Sequence, residues 1–152
     1  VNSSANIYPV KREPHETVGK FHLQWRVYAG QDYLEIEVSG EALEIEAQEF
    51  YRSTFQSQNN SALFILCNYG FHETNVGFET MIDLLEQTRT SGITKSRICI
   101  VSQQQHYDMK MELFNELSSA MKIDARMFTC DTLDAGRKWL QDVIDQSIAR
   151  DN

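Results

Sequence analysis

Two short stretches, Ala62–Cys67 and Ile98–Val101, are apolar at every position. A strand that is apolar on both faces has to be covered on both faces, which is the situation of an inner strand in a helix-covered sheet. Each stretch is followed by a segment whose apolar residues return at helical spacing. After the first come Phe78, Met81, Ile82 and Leu85; after the second come Met109, Leu113, Phe114, Leu117, Ala120 and Met121. Parallel neighbours cannot be joined by a tight turn, so buried strands that alternate with helices predict crossover connections and a parallel core.

The flanking segments complete the pattern. Phe21, Leu23, Trp25 and Val27 alternate with His22, Gln24, Arg26 and Tyr28, as a strand with one buried face requires. After the connector Ala29–Asp32, Leu34, Ile36 and Val38 alternate with Glu35 and Glu37, which predicts a hairpin. Ala47, Phe50, Tyr51, Thr54 and Phe55 then share one helical face, and Gln58–Ser61 ends that helix. Ala125–Cys130 reads as the last strand, Asp131 as an N-cap, and Ala135, Trp139, Leu140, Val143 and Ile144 as the inward stripe of a fourth helix. The predicted class is α/β: a mixed five-stranded sheet with four helices in the order ββαβαβαβα.

A chain of 152 residues suits one core. Residues 1–20 contain both prolines, Pro9 and Pro14, and no apolar period, so they are expected to be a tail or linker before a single domain spanning residues 21–152. The net charge of -8 repels phosphate backbones and anionic lipid, and the longest apolar run is far shorter than a bilayer span, so neither nucleic acid nor a membrane is an expected partner. Cys67, Cys99 and Cys130 lack CxxC spacing and sit in strand-like segments, which points to reduced thiols and a cytoplasmic protein.

Chemical motifs are sparse. His15, His22, His72 and His106 form no HxH or HExxH pattern, so no metal site is expected. The stretch Asn68–Gly77 follows a strand and has two glycines, but neither GxGxxG nor a P-loop lysine, so no nucleotide or other cofactor is expected. His72 beside Glu73, with Cys67 or Thr74 as nucleophile, is a weak hydrolase reading, because adjacency in sequence does not aim side chains at one another. The two stretches after the buried strands, Asn68–Gly77 and Ser102–Tyr107, nevertheless lie where open α/β sheets carry their sites.

The element order over roughly residues 21–148 resembles the STAS family of sulfate-transporter and anti-sigma factor antagonist domains, the SpoIIAA-like proteins. Val38-Ser39-Gly40, Leu43-Glu44 and Ala47 resemble that family's entry to its first helix, and Ala125–Leu133 through Trp139-Leu140 resembles its closing strand and helix. Thr74-Asn75-Val76-Gly77-Phe78 occupies the place of the family's phosphorylated serine loop, with Asn75 and Val76 where the serines stand. The resemblance implies a non-enzymatic regulatory domain of anti-sigma factor antagonist-like bacterial signalling. It implies a protein partner, such as a serine kinase or an anti-sigma factor, docked through Phe71, His72, Thr74, Asn75, Gly77 and Phe78. The usual phosphoserine switch is absent, and Thr74 is the nearby hydroxyl that could be phosphorylated. An alternative within the same fold is a small-molecule or lipid-binding module with its pocket between the sheet and the helices carrying Met109, Met111 and Met121.

Overall fold

The computed structural model describes residues 15–41, 43–56, 61–70, 77–103 and 107–151. Among them are six strands, in the spatial order β1-β2-β3-β4-β5-β6. They are β1 (His15–Val18), β2 (Phe21–Tyr28), β3 (Gln31–Val38), β4 (Ala62–Gly70), β5 (Lys95–Ser102) and β6 (Ala125–Cys130). The helices are α1 (Glu44–Gln56), α2 (Phe78–Thr90), α3 (Tyr107–Ala120) and α4 (Leu133–Asp151). The five expected strands and four helices are present in the expected order. The addition is β1, formed by residues read as tail: a two-residue turn with Gly19 at φ 60 folds it antiparallel onto β2, pairing Val18 with Phe21. Four residues at a sheet edge are too few to show a period, which is why the sequence pattern missed them.

β1, β2 and β3 form an antiparallel meander, and β3 to β6 run parallel. The hairpin between β2 and β3 is tighter than the connector predicted: Tyr28 pairs with Gln31, and the two loop residues, Ala29 and Gly30, take φ 51 and 79. Such paired positive angles match the twist of the flanking strands.

Successive parallel strands step in one direction across the sheet, so right-handed crossovers must put α1, α2 and α3 on the same face. The larger core lies there, with Phe21, Leu23, Leu34, Ile36, Leu63, Ile65, Ile98 and Ile100 meeting Ala47, Phe50, Tyr51, Met81, Leu84, Leu85 and Phe114. Helix α4 follows the last strand and covers the other face, where Leu140 and Ile144 pack on Tyr33, Phe64, Leu66, Cys99 and Val101. Its seat is Gly136: a Cβ there would come within 2.8 Å of Val101 and 2.9 Å of Leu66. The cap of α4 is Thr132 rather than the expected Asp131. Its Oγ1 accepts the Ala135 N–H at 3.1 Å and its carbonyl accepts the Gly136 N–H at 3.0 Å.

Helices α2 and α3 end in the same way. Ile93 N–H bonds the Thr88 carbonyl and Gly92 N–H bonds the Arg89 carbonyl; Ile123 and Lys122 repeat this with Ser118 and Ser119. Both are the double-bonded C-terminal motif that needs a left-handed residue, supplied by Gly92 (φ 77) in one and Lys122 (φ 59) in the other. In each, a buried isoleucine follows and leads into the next strand.

The outer edge of β6 is closed by a side chain. Asn115 of α3 donates from Nδ2 to the Met127 carbonyl at 3.0 Å and accepts the Met127 N–H at Oδ1 at 2.8 Å, so its carboxamide stands in for a neighbouring strand. Ser118 Oγ donates to the Ala125 carbonyl at 2.7 Å beside it. An edge strand with open backbone groups is a template for unwanted pairing, and this one is covered.

Candidate functional site

Every crossover helix begins where a parallel strand ends, so the starts of α1, α2 and α3 share the carboxyl rim of the sheet. The first two are tied together by one carboxylate. Glu44, the first residue of α1, accepts the Gly77 N–H at 2.7 Å and the Thr80 hydroxyl at 2.5 Å through Oε2. Gly77 is the N-cap of α2 and has no side chain to cap it, so Glu44 supplies the acceptor that a serine or aspartate would supply there. These hydrogen bonds, from Thr80 first and Gly77 second, hold the Glu44 carboxyl below its ordinary pKa, and the charge of Lys110 on α3 acts in the same direction. At the start of α1, Glu46 Oε1 reaches back to the Leu43 N–H at 2.8 Å and lies 3.4 Å from Lys20 Nζ.

Around this link, four large apolar residues of the described rim are exposed. Leu43 is 64% exposed, Ile45 58%, Phe78 50% and Met109 74%. Each is at the cap or in the first turn of one of the three helices. Charged residues surround them, with Glu41, Glu79 and Asp108 exposed.

Of the predicted docking residues, Gly77 and Phe78 are on this rim. Phe71, His72, Thr74 and Asn75 lie outside the described residues, as do Glu73 and His106. Two expectations are corrected. Met109 is expected on the sheet-facing side of its helix, but the buried stripe of α3 is Tyr107, Phe114 and Ser118; Phe78, expected at the docking surface, stands outside the buried stripe of α2, which is Thr80, Met81, Leu84, Leu85 and Thr88. Asn68, Tyr69 and Gly70, expected in the stretch that follows the strand, are the last residues of β4, and Tyr69 is 2% exposed. Leu43, Glu44 and Ile45 were missed as rim residues; the available signal was Ile45, an isoleucine on the polar side of the α1 stripe.

Two of the concavities among the described residues lie on opposite faces of the sheet. Between the sheet and the helices on its larger core lies a cavity of about 40 Å³, lined by residues including Tyr51, Tyr69, Met81, Tyr107, Phe114 and Met127. The Tyr51 and Tyr69 hydroxyls are hydrogen-bonded at 2.9 Å, and Tyr51 reaches Cys67 Sγ at 3.4 Å. Burial pushes both phenols well above their usual pKa and the Cys67 thiol up to about 11, so all three are neutral at physiological pH. That volume has room for water-sized occupants.

On the opposite face α4 reaches the meander at Tyr28, Tyr33 and Glu35, and a polar groove of about 390 Å³ runs beside it, with His22, Gln24, Glu35, Glu37 and Asn68 among its lining residues. Arg137 of α4 grips Glu35 with two bonds, Nη2 to Oε1 at 2.6 Å and Nε to Oε2 at 3.1 Å. Arg26 Nε lies 3.0 Å from the same carboxylate, near enough for ion pairing though misaligned for a hydrogen bond. Among the described residues no group of three or more His, Cys, Asp or Glu side chains converges to hold a metal ion, and no helix is long and apolar enough to cross a membrane.

No protein-family model matches the chain, and no curated protein matches it. Among solved structures, the chain is similar to an uncharacterized protein of the DUF3478 family from Shewanella loihica PV-4, described as having a SpoIIAA-like fold. The TM-score is 0.51 at 11% identity, over 82% of this chain and 97% of that one. The fold of this chain is therefore SpoIIAA-like, as the motifs at Val38–Ala47 and Ala125–Leu140 imply.

Proposed function

We propose that the protein is a non-enzymatic, cytoplasmic regulatory domain that binds a protein partner through the carboxyl rim formed by the starts of α1, α2 and α3. The observation that carries this reading is the exposure of Leu43, Ile45, Phe78 and Met109 at one end of the sheet. Large apolar side chains gathered at one place on a surface favour a protein interface, whereas singly scattered ones need no explanation. The acidic residues beside them, Glu41, Glu79 and Asp108, favour a partner whose apolar contact residues are ringed by lysine and arginine. Glu44 adds rigidity, since it fixes the entry of α1 against that of α2 and so presents a preformed surface.

Under this reading the anion at the start of α2 is a built-in carboxylate, so docking does not wait on a phosphoserine. An anti-sigma factor or a serine kinase of the kind met by SpoIIAA-like signalling domains is the partner class that the fold favours. The deciding experiment is affinity capture from the native host with the wild-type chain, Phe78→Glu and Asn75→Arg. Both variants should melt with the wild type and lose the partner. Undiminished capture by Phe78→Glu refutes the rim as the docking surface.

A further inference from the structure

Cys99 and Cys130 lie on neighbouring parallel strands, with Cys99 opposite Phe128 and Val101 opposite Cys130. Both side chains belong to the face covered by α4, and their sulfurs are 3.5 Å apart. Cys99 is buried, whereas Cys130 is partly exposed. Cys130 is also the last residue of β6, immediately before the capping turn of the 19-residue helix α4. Its Sγ donates to the Thr132 carbonyl in that turn at 3.4 Å, beside the start of a helix, whose dipole favours a thiolate. The hydrogen bond from Cys99 holds the Cys130 thiol below its ordinary pKa; the same contact, followed by burial, raises Cys99. The sulfur of the pair whose ionisation is favoured is thus the one that solvent can reach.

We propose that Cys99 and Cys130 are a redox-active pair that closes to an intramolecular disulfide when a hydroperoxide oxidises Cys130. The Cys130 thiolate attacks one oxygen of the peroxide, forming an S–O bond and breaking the O–O bond, and the departing hydroxide takes a proton to leave as water. Cys130 is then a sulfenic acid, two electrons more oxidised, and one peroxide has been reduced. The Cys99 sulfur, giving up its proton, attacks the sulfenic sulfur; the S–S bond forms, the S–O bond breaks and a second water leaves. Two thiols and one hydrogen peroxide give one disulfide and two waters.

A disulfide needs about 2.05 Å between sulfurs, so roughly 1.5 Å must be closed. Cys130 is the end that can move, because it terminates an edge strand and is followed by a bend at Asp131 and Thr132. Cys67 provides an internal control. It faces the other core, its thiol is pushed up to about 11 and Tyr51 bonds it, so it stays reduced.

The test uses the full chain, freshly reduced, exposed to excess hydrogen peroxide, then denatured and alkylated with N-ethylmaleimide for intact mass and peptide mapping. Expected is the loss of two of the three titratable thiols, a linked Cys99–Cys130 peptide in a monomeric species, and full recovery with dithiothreitol. In Cys99→Ser the oxidation should stop at a sulfenic acid that dimedone captures on Cys130. Cys99→Ala serves if the serine variant fails to fold. Three alkylatable thiols after peroxide, a link through Cys67, or a bond between two chains would each overturn the proposal.

Discussion

Replacing Asn115 tests how α3 protects the edge of the sheet. Its carboxamide makes one accepted and one donated bond with the backbone of Met127, at 2.8 and 3.0 Å. Each bond contributes a net ~1 kcal/mol, and a backbone group left unpaired costs about 1–3 kcal/mol where water cannot replace the partner. Both residues are half-buried, so the Asn115→Ala variant should lose about 2 kcal/mol, or about 4–8 °C in melting temperature for a domain of this size. Asn115→Asp separates the two bonds. An ionised carboxylate still accepts the Met127 N–H but faces the Met127 carbonyl oxygen, so the folded state raises the introduced group's pKa. A raised acid pKa penalises folding above the unfolded value, and the penalty disappears as the group is protonated and its O–H can donate. The stability gap between Asn115→Asp and the wild type, measured by urea denaturation at both pH values, should therefore be wider at pH 7 than at pH 4, while that of Asn115→Ala should not change. Equal gaps for the aspartate variant at the two pH values would refute the account, as would an alanine variant with wild-type stability. Light scattering provides a second readout, since an opened β6 edge should make the alanine variant associate with increasing concentration.

Gly136→Ala should destabilise by up to about 2 kcal/mol in chemical denaturation, because the overlap of its methyl group with the buried side chains of Leu66 and Val101 costs about 1–3 kcal/mol and the ~1 kcal/mol that alanine normally gains over glycine inside a helix offsets only part of it. Lys122→Gly should raise the melting temperature by about 1–3 °C, as it removes a left-handed non-glycine residue at the position where α2 uses Gly92. Glu44 has a lowered folded-state pKa, so its contribution is present above the usual glutamate range near pH 4.5 and is lost as pH falls through the folded value. In Glu44→Gln, the wild-type advantage in urea midpoint should accordingly shrink between pH 6 and pH 3; an advantage that is constant across that range contradicts the capping role.

The layers of this fold were legible because they rest on period. A run such as Ala62–Cys67 can only be an inner strand or a buried helix turn, and the helical spacings on either side decide between them. What escaped was what depends on distant residues. β1 exists because β2 offers it an edge, and nothing within His15–Val18 announces that. Met109 continues an apolar spacing toward the start of α3, where the helix has already run past the sheet, so periodicity put it inside. The Glu44 cap spans 33 residues to Gly77, and a cap residue is ordinarily sought beside its own helix. The glycine before Phe78 was visible as a resemblance; the acceptor that compensates for it was not.

The rim and the polar groove are candidate surfaces, and the cost of covering each distinguishes them. In the groove, Glu35 is already gripped at two points by Arg137 and flanked by Arg26. A polar ligand entering there must displace a charge-assisted pair and leave a carboxylate whose side chain is only 12% exposed without its partner, a loss that its own bonds would first have to offset. That ion pair also fastens α4 to β3, so displacing it would loosen the helix that forms the groove wall. At the rim, half or more of Leu43, Ile45, Phe78 and Met109 is exposed, and among the described residues that exposed surface carries no ion pair for binding to break. Each square ångström of apolar surface buried there contributes about 25 cal/mol before the costs of association. Two carboxylates at the rim, Glu44 and Glu46, are already satisfied by Gly77, Thr80 and Leu43, and covering them leaves those bonds intact. Docking at the rim therefore disrupts fewer existing interactions than any occupant of the groove would.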